Sequence, residues 1–301
     1  MTNTSKEVRN FVTVLQWNCR SIIPKFDLFS HLINTYNCDA FALCETFLNS
    51  NDQLNFHDFN IIRRDRDSHG GGVLLGIKKC YSFFRIDLPS ISNIEVVAIQ
   101  TNLNGKDLCL VSLYIPPSAR IEQKQLLDIA ELLPAPFMIL GDFNSHCSLW
   151  GSLYDDNRSS LICNLIDDFN MTVLNTGEAT RVPNPPARES VLDLSLCSTS
   201  LALDCQWKVI NDPHGSDHLP IVISIANGST PPNPINISYD LTRNIDWKRY
   251  ESIIAESIET HEELPPEEEY AFLAGLIIDA ATQAQTKPIP GLTIRRRPPT
   301  K

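Results

Sequence analysis

The chain has 301 residues, of which 43% are hydrophobic and 20% charged, and its formal net charge is −11 at pH 7. This composition is that of a globular protein and excludes a fibrous or wholly disordered chain. No apolar run approaches the roughly 18 residues needed to span a bilayer, so we expect no membrane span, and the polar N-terminus predicts no signal peptide.

Short runs of strand length, rich in β-branched or aromatic residues, recur from the N-terminus to about residue 225. In chain order the predicted strands are Phe11–Trp17, Ala40–Leu43, Val73–Ile77, Glu95–Ile99, Leu108–Tyr114, Phe137–Leu140, Val191–Leu196 and Ile221–Ile225. Between them, apolar residues at helical spacing predict helices at Phe26–Tyr36, Ile121–Leu133 and Ser159–Phe169. Many strands with a few helices indicate an α/β or α+β protein whose helices cover the faces of a sheet.

The composition changes after Ala226, so we expect one domain over residues 1–226 and a Pro-rich linker over residues 227–244. Beyond the linker, Trp247–Ile258 and Glu267–Ala281 are predicted to be amphipathic helices, and the chain ends in the basic, Pro-rich run Arg295–Lys301. Two short helices have too little core to fold alone. Residues 245–301 are therefore predicted to be a helical tail that docks on the main domain or leads onward.

The nine cysteines are an odd number, and none of them has CxxC spacing. Many lie inside apolar runs, as in Leu108-Cys109-Leu110, where Cys behaves as a small hydrophobic residue. This usage fits a reduced, intracellular compartment better than a disulfide framework or a zinc site.

Acidic residues end or interrupt several of the apolar runs. Taken singly, each is most simply a turn or capping residue. Taken together, oxygen donors that converge from several strand ends are what Mg²⁺ requires, and an Asp-His pair beside them supplies a group that titrates near neutral pH. The polar residues in question are Glu45, Asp142, Asn144, Asp193, Asp217 and His218.

Two four-residue strings are more specific, namely Gly141-Asp142-Phe143-Asn144 and Gly215-Ser216-Asp217-His218. A given string of this length occurs by chance in about one of several hundred chains of this size, taking roughly 1 in 20 per position. With both strings in this order, the chain resembles the endonuclease/exonuclease/phosphatase superfamily, over about residues 11 to 226. Further motifs stand in family order: Gln16-Trp17-Asn18, Glu45-Thr46, Tyr114-Ile115-Pro116-Pro117 and Ser190-Val191-Leu192-Asp193.

Within that superfamily the chain most resembles the endonuclease domains of jockey-like non-LTR retrotransposons. The resemblance rests on Gly70-Gly71-Gly72-Val73 after an Arg/Asp-rich loop, on Asn144-Ser145-His146 running on to Trp150-Gly151, and on Ala179-Thr180-Arg181. It implies a deoxyribonuclease I-like α/β fold, in which a two-sheet sandwich with flanking helices carries the site at one rim. It also implies a Mg²⁺-dependent endonuclease, with Mn²⁺ as an alternative ion, that nicks DNA.

The resemblance further implies partners and a location. A full-length element would carry a reverse transcriptase, although no reverse-transcriptase motif is found in this chain, and the tail resembles the segment that leads to one. We expect DNA as the substrate, no membrane association, and an intracellular protein that is nuclear when it acts.

The resemblance implies roles for individual residues. Glu45 would be a direct Mg²⁺ ligand supported by Asn18 and Asp217, and Tyr114 would stabilise charge on the phosphate or leaving oxygen.

Asp142 would activate or align the attacking water, which Asn144 would orient. His218 would contact the scissile phosphate as a donor and would be held in orientation by Asp193. The sequence leaves open whether Asp142 or His218 is the general base.

DNA binding has to depend on a few basic side chains close to the site. Residues 246–301 carry 10 acidic and 7 basic side chains, which leaves 26 and 18, a net charge of −8, for the first 245 residues. A domain of that charge cannot bind DNA through its overall field. The predicted substrate-binding residues are Arg63, Arg64 and Arg66 in the loop before Gly70, together with Thr180, Arg181 and Ser190.

Two alternatives stay open at this point. One is another phosphoesterase of the same superfamily that acts on abasic DNA, inositol phosphates or lipids. The other is a catalytically silent interaction module derived from a decayed element. The intact set of polar motif residues argues against silence, because decay would be expected to change some of them.

Overall fold

The computed structural model describes residues 11–66, 70–182, 188–226 and 246–259, and from the tail residues 272, 273, 276, 277, 279–281, 283 and 284. The chain divides into two compact units, residues 1–233 and 234–301. The predicted linker and the basic, Pro-rich end lie outside the described residues. In the part of the chain that the structure describes, no helix is both long and apolar enough to cross a membrane.

The first unit is built from two mixed sheets of six strands each, which confirms the predicted two-sheet architecture. In spatial order, the first sheet contains β11 (Cys205–Val209), β12 (Ile221–Ala226), β1 (Phe11–Asn18), β2 (Ala40–Cys44), β4 (Val73–Lys78) and β3 (Phe59–Arg64). The second contains β5 (Phe83–Ile86), β6 (Glu95–Leu103), β7 (Lys106–Tyr114), β8 (Phe137–Asp142), β10 (Asp193–Ser198) and β9 (Met171–Val173).

Each sheet has one parallel pair, β1 with β2 and β7 with β8, and its other neighbours are antiparallel. A parallel pair needs a crossover connection, which a helix usually provides. The helices α1 (Phe26–Thr35) and α2 (Gln123–Ala130) lie in these two crossovers, while α3 (Ser159–Asp168) and the short α4 (Thr199–Ala202) follow later in the chain.

Hydrophobic side chains form layers on both faces of the sheets. Val12 and Val14 of β1 pack with Met138 and Leu140 of β8 in a core between the two sheets. Leu15 and Trp17 of β1 point to the opposite face of the sheet and pack with α1. The outer face of the second sheet is covered by α2 and α3. Strands buried on both faces read as continuous apolar runs, which is why the sequence reveals them.

The prediction missed four strands, β3, β5, β9 and β11, and these are the four edge strands of the two sheets. An edge strand is half exposed and carries polar residues, so its apolar pattern is weak. Arg63 and Arg64, predicted to lie in a loop, are the last two residues of β3. The strand predicted at Val191–Leu196 runs instead from Asp193 to Ser198, and the preceding Ser190 forms a separate bridge with Arg181.

In the second unit, the first predicted tail helix is present as α5 (Trp247–Glu259). The backbone N–H of Asp246 donates to the carbonyl oxygen of Ala284 (2.8 Å). Of the second predicted tail helix, residues 272, 273, 276, 277 and 279–281 are described, and all of them are helical.

Candidate active site

The polar residues singled out in the sequence come together at one rim of the sandwich. Tyr114, Asp142 and Asp193 lie side by side, because they are mutual partners on the adjacent strands β7, β8 and β10. In the facing sheet, β1 ends with Asn18, and Glu45 follows the end of the parallel strand β2. Strand ends of both sheets therefore supply the site.

The two sheets approach each other closely at this rim. Gln16 Nε2 of β1 donates to the carbonyl oxygen of Gly141 on β8 (3.2 Å), and Ser112 Oγ of β7 donates to the carbonyl oxygen of Leu43 on β2 (3.0 Å). A Cβ atom at position 141 would lie 1.7 Å from the carbonyl oxygen of Leu113, so only glycine fits there. The first residue of the Gly-Asp-Phe-Asn string therefore meets a packing requirement.

Asn18 connects the carboxylates of the two sheets. Its Nδ2 donates to Glu45 Oε1 (3.0 Å) and to Asp142 Oδ2 (2.8 Å), and the side chain is buried. The Tyr114 hydroxyl forms a further hydrogen bond with the Glu45 carboxylate. Burial and the charges of Glu45 and Asp142 raise the pKa of Tyr114 far above its ordinary value, so its hydroxyl keeps its proton at neutral pH.

Asp142 is 1% exposed and is held by the loop that follows it. The Asn144 backbone N–H donates to Asp142 Oδ1 (2.9 Å), and Asn144 Nδ2 donates to Asp142 Oδ2 (3.0 Å). Burial and the charge of Asp193 raise the pKa of Asp142, whereas His218 and the bonds from Asn144 and Asn18 act in the opposite direction. The raised pKa indicates that burial and the neighbouring negative charge outweigh the positive charge and the hydrogen bonds that stabilise the ionised carboxylate.

His218 and Asp193 form a buried hydrogen-bonded pair. His218 Nδ1 lies 2.7 Å from Asp193 Oδ2, and Nε2 lies 4.0 Å from Asp142 Oδ2. Burial alone would lower the pKa of His218, but the charges of Asp193, Asp142 and Asp217 outweigh it and raise the pKa to about 9. At neutral pH the ring therefore carries a proton on each nitrogen, one bonded to Asp193 and one facing Asp142.

The backbone at the rim is strained. Arg20 (φ 42°), Ser21 (φ 77°), Glu45 (φ 50°) and Asn144 (φ 46°) all lie in the left-handed region. Such a conformation costs non-glycine residues on the order of 1 kcal/mol each. Strain of this kind clusters at functional sites, where the surrounding structure imposes it.

Thr180 and Ser216 support the His218–Asp193 pair. Thr180 is fully buried, and its Oγ1 accepts the backbone N–H of Asp193 (3.0 Å). Ser216 Oγ donates to the carbonyl oxygen of Asn18 (2.8 Å) and accepts the backbone N–H of His218 (3.2 Å). Thr180, predicted as a substrate-binding residue, is therefore buried in this structure and bonds the backbone of Asp193.

Asp217, predicted to support the metal, is paired with arginines. Arg181 Nε and Nη2 donate to Asp217 Oδ2 (3.1 and 2.8 Å), and Arg20 Nη1 lies 3.6 Å from Oδ1. Arg181 is also paired with Ser190 through the backbone. Burial would raise the pKa of Asp217, but His218, Arg181 and Arg20 outweigh it and lower the pKa. The Asp217 carboxylate is thus paired with the guanidinium groups of Arg181 and Arg20.

The arginines of the segment before Gly70, which with Arg181 were predicted to bind DNA, all have partners within the protein. Arg63 Nη2 donates to the carbonyl oxygen of Asp52 (2.9 Å), and Arg63 Nε lies 3.3 Å from Asp65 Oδ2. Arg66 pairs with Glu95, and its guanidinium carbon lies 5.7 Å from the centre of the Tyr114 ring.

Arg64 also lines a cleft of about 800 Å³ beside the rim. Its Nη2 donates to Ser90 Oγ (3.0 Å). Arg66, Pro116 and the exposed Arg120 line the same cleft. The cleft adjoins the rim, because Arg66 lies close to the Tyr114 ring and Pro116 follows that tyrosine by two residues.

Sequence reasoning missed Asp156 and Arg158, which lie just before α3. Asp156 accepts hydrogen bonds from Ser145 Oγ (2.9 Å) and from the backbone N–H of His146 (2.9 Å). Arg158 donates to carbonyl oxygens as far away as Pro116, which is 42 residues distant in the chain. No local pattern signals such bonds, because their partners belong to other loops.

Comparison with known proteins agrees with this geometry. A family model described as "Endonuclease-reverse transcriptase" matches residues 108–222. The probable RNA-directed DNA polymerase from transposon BS of Drosophila melanogaster is 26% identical over 237 residues, which cover 75% of this chain and 25% of that protein. The RNA-directed DNA polymerase from mobile element jockey of Drosophila funebris is 20% identical over 249 residues, covering 81% and 26%. The chain thus spans about a quarter of the length of these relatives.

Solved structures share the fold. The endonuclease domain of TRAS1, a telomere-specific non-LTR retrotransposon, superimposes with a TM-score of 0.62 at 18% identity, covering 72% of this chain and 98% of that domain. The AP endonuclease LMAP from Leishmania major gives 0.58 at 13% identity, covering 73% and 89%. The chain is therefore similar, over residues 108–222, to the family described as "Endonuclease-reverse transcriptase", and it shares the fold of the TRAS1 endonuclease domain.

Proposed function

We propose that this chain is the endonuclease part of a non-LTR retrotransposon and that it nicks DNA by Mg²⁺-dependent hydrolysis of a phosphodiester bond. The observation that carries the proposal is the single rim at which Asn18, Glu45, Tyr114, Asp142 and the Asp193–His218 pair meet. Ligands for a cation, an acceptor for a water proton and donors for a phosphate are all present there.

The donor set fits a hard divalent cation. Glu45, Asp142 and Asp193 bring three carboxylates together, and the buried Asp193 Oδ1 finds no hydrogen-bond partner among the described residues. Excess negative charge on oxygen ligands suits Mg²⁺, and Mn²⁺ takes similar donors. Asp142, Asp193 and His218 also place one ligand atom each within 4.8 Å of one another. His218 Nδ1 and Asp193 Oδ2, however, already bond to each other at 2.7 Å.

Glu45 would therefore hold the ion, because its carboxylate is only partly buried and is oriented by Asn18 and Tyr114. Asn18 would support the site by orienting Glu45 through Nδ2, while its Oδ1 accepts the backbone N–H of Arg20 (3.2 Å). When bound, Mg²⁺ supplies Lewis-acid polarisation of the phosphoryl oxygens and offsets charge on the leaving group.

The protein's own groups divide the remaining work. Asp142 is placed to accept the proton of the attacking water, which Asn144 orients, and its raised pKa suits a base. His218, protonated on both nitrogens, donates from Nε2 to a phosphate oxygen while Asp193 fixes the ring. The Tyr114 hydroxyl stabilises charge on the phosphate or leaving oxygen. In this proposal Asp142, rather than His218, is the general base.

A plasmid-nicking assay tests the function directly. Supercoiled DNA incubated with the protein and Mg²⁺ should relax to the open circular form, and EDTA should abolish the reaction. An abasic-site duplex and small inositol or lipid phosphates, run in parallel, test the other phosphoesterase activities. Cleavage of a small phosphate with no cut in any DNA would overturn the nuclease proposal, and no cleavage of any substrate would favour a silent module.

DNA is proposed to enter along the cleft that Arg64 and Arg120 line. Each phosphate contact that is lost should lower the salt slope of DNA binding by about one unit. The double variant Arg64→Ala/Arg120→Ala should therefore lower the slope by about two units, measured by fluorescence anisotropy at several salt concentrations. Arg63→Ala is the comparison: this guanidinium bonds the backbone of Asp52, so its loss should lower the Tm and leave the slope nearly unchanged.

An unchanged slope in the double variant would exclude the cleft as the contact surface.

The curated relatives are RNA-directed DNA polymerases, so we also propose that a reverse transcriptase accompanies this domain in the full-length element. Intracellular action in the nucleus, where genomic target DNA lies, is part of the same proposal.

A further inference from the structure

Arg158 is the residue immediately before α3, and its side chain lies behind the rim. Nη1 donates to the carbonyl oxygens of Phe143 (2.7 Å) and Asn144 (2.7 Å). Nη2 donates to those of Pro116 (3.0 Å), Pro117 (3.2 Å) and Ala119 (2.8 Å). A single guanidinium therefore bonds five backbone carbonyls of two separate loops.

Both loops carry residues of the site. The first, residues 143–147, follows β8 and contains Asn144, whose amide bonds Asp142. The second, residues 115–120, follows β7 and continues directly from Tyr114. The loops also touch each other, because Asn144 Nδ2 donates to the carbonyl oxygen of Ile115 (3.1 Å). Arg158 thus fixes the backbone that sets the relative position of Asn144 and Tyr114.

Asp156 attaches the same segment to the first loop from the other side. Its carboxylate accepts bonds from Ser145 and His146 and also from the backbone N–H groups of Arg158 (3.0 Å) and Ser159 (2.8 Å). The start of α3 is therefore bonded to the loop through both Asp156 and Arg158. Since α3 packs on the second sheet, the rigid part of the domain supports both loops.

The guanidinium also contributes charge near the reacting groups. Burial lowers the pKa of Arg158, while the charges of Asp156, Asp142 and Tyr114 act to raise it. Arginine suits this position because its planar fork presents several donors in a fixed geometry, which the single ammonium group of lysine cannot reproduce.

We propose that Arg158 is a positioning residue of this nuclease. It holds the Asn144 loop and the Tyr114 loop at a fixed distance from each other, so that Asn144 can orient the water while Tyr114 stabilises the phosphate. The inference rests on the proposed function for its effect on catalysis. The linkage of the two loops is a separate prediction that needs no activity to test. A misplacement of about 1 Å can cost roughly 10²-fold in rate.

The kinetic experiment uses the full chain and the variants Arg158→Ala and Arg158→Lys. Arg158→Ala should lower kcat for plasmid nicking about 10²-fold and change KM for DNA less than about threefold. Arg158→Lys should recover little of this loss, whereas methylguanidinium added to Arg158→Ala should restore part of it. In an Asn144→Ala background, Arg158→Ala should cost much less, because the two act as a unit. Arg85→Ala, exposed on the edge strand β5, is the matched control.

Hydrogen–deuterium exchange supplies the readout that is independent of activity. In Arg158→Ala, exchange should rise in residues 115–120 and 143–147 together, with the central strands unchanged, and Arg85→Ala should show no rise. A wild type that cuts no DNA would overturn the proposed function and leave this readout to decide the linkage. A rise in neither loop, or in one alone, would overturn the linkage. Full nicking activity in Arg158→Ala, or losses that add fully with Asn144→Ala, would overturn the positioning role.

Discussion

Replacing His218 by alanine is expected to lower the rate of DNA nicking about 10³-fold, within the range found for acid–base groups. The expectation follows from the position of His218, whose Nε2 faces Asp142 while Nδ1 bonds Asp193 at 2.7 Å. If Asp193 only orients the ring and maintains its charge, then Asp193→Asn and the double variant should lose similar activity, because the two residues act as one unit. Single-turnover nicking of a supercoiled plasmid measures all three variants.

The pH profile gives a second readout of the same pair. The pKa of His218 is raised to about 9, so the donor proton on Nε2 is present below that pH and is lost as the pH rises through it. Activity that depends on this proton should therefore fall at alkaline pH. Asp193→Asn removes a charge that raises the pKa, so the alkaline fall of its residual activity should move to lower pH.

Two results would count against the pairing of His218 with Asp193. Losses that add strictly in the logarithm of the rate would show that the two residues work independently. An alkaline limb that stays in place in Asp193→Asn would show that Asp193 does not maintain the charge of the ring. His31→Ala serves as the control, because His31 lies exposed on α1.

Replacing Glu45 by glutamine should remove most Mg²⁺-dependent activity, on the order of 10²-fold or more at sub-saturating Mg²⁺, since a metal contributes several kcal/mol to such reactions. Glutamine keeps the shape of the side chain and can still accept the bond from Asn18, so the fold should survive with a Tm within a few degrees of wild type. A Mg²⁺ titration of nicking should shift to higher concentration, and calorimetry should show weaker Mg²⁺ binding.

The control for this experiment is Glu131→Gln, which removes an equal charge from an exposed position at the end of α2. Equal nicking by wild type and Glu45→Gln at sub-saturating Mg²⁺ would remove Glu45 from the ligand set. In that case the group formed by Asp142, Asp193 and His218 would be the next candidate to hold the ion.

The residues that carry the proposed chemistry were predictable because they are attached to predictable elements. Asn18, Tyr114 and Asp142 end strands buried on both faces, which read as continuous apolar runs. Glu45 and His218 lie next to such strands. The direction of the strands then brings their ends to one rim, so local motifs and the fold lead to the same group of residues.

The supporting contacts were not predictable in this way. The sequence shows Thr180, Arg63 and Asp217 as polar residues near motifs, but only the fold reveals that Thr180 bonds the Asp193 backbone, Arg63 the Asp52 backbone, and Asp217 two arginines. A hydrogen-bond partner is set by a distance in space, and none of these distances appears in the local pattern.

By itself, therefore, the sequence determined the central strands, the three covering helices and the motif residues. Strands buried on both faces and helices with one apolar face both produce a recognisable pattern within a short stretch of sequence. The tertiary structure decided the edge strands β3, β5, β9 and β11, whose half-exposed residues carry a weak apolar signal. It also decided the contacts of Arg158, whose guanidinium bonds backbone carbonyls up to 42 residues away in the chain. The amino-acid sequence predicts which polar side chains the strands and motifs carry. Only the packing of sheets and loops determines which of these side chains come into contact.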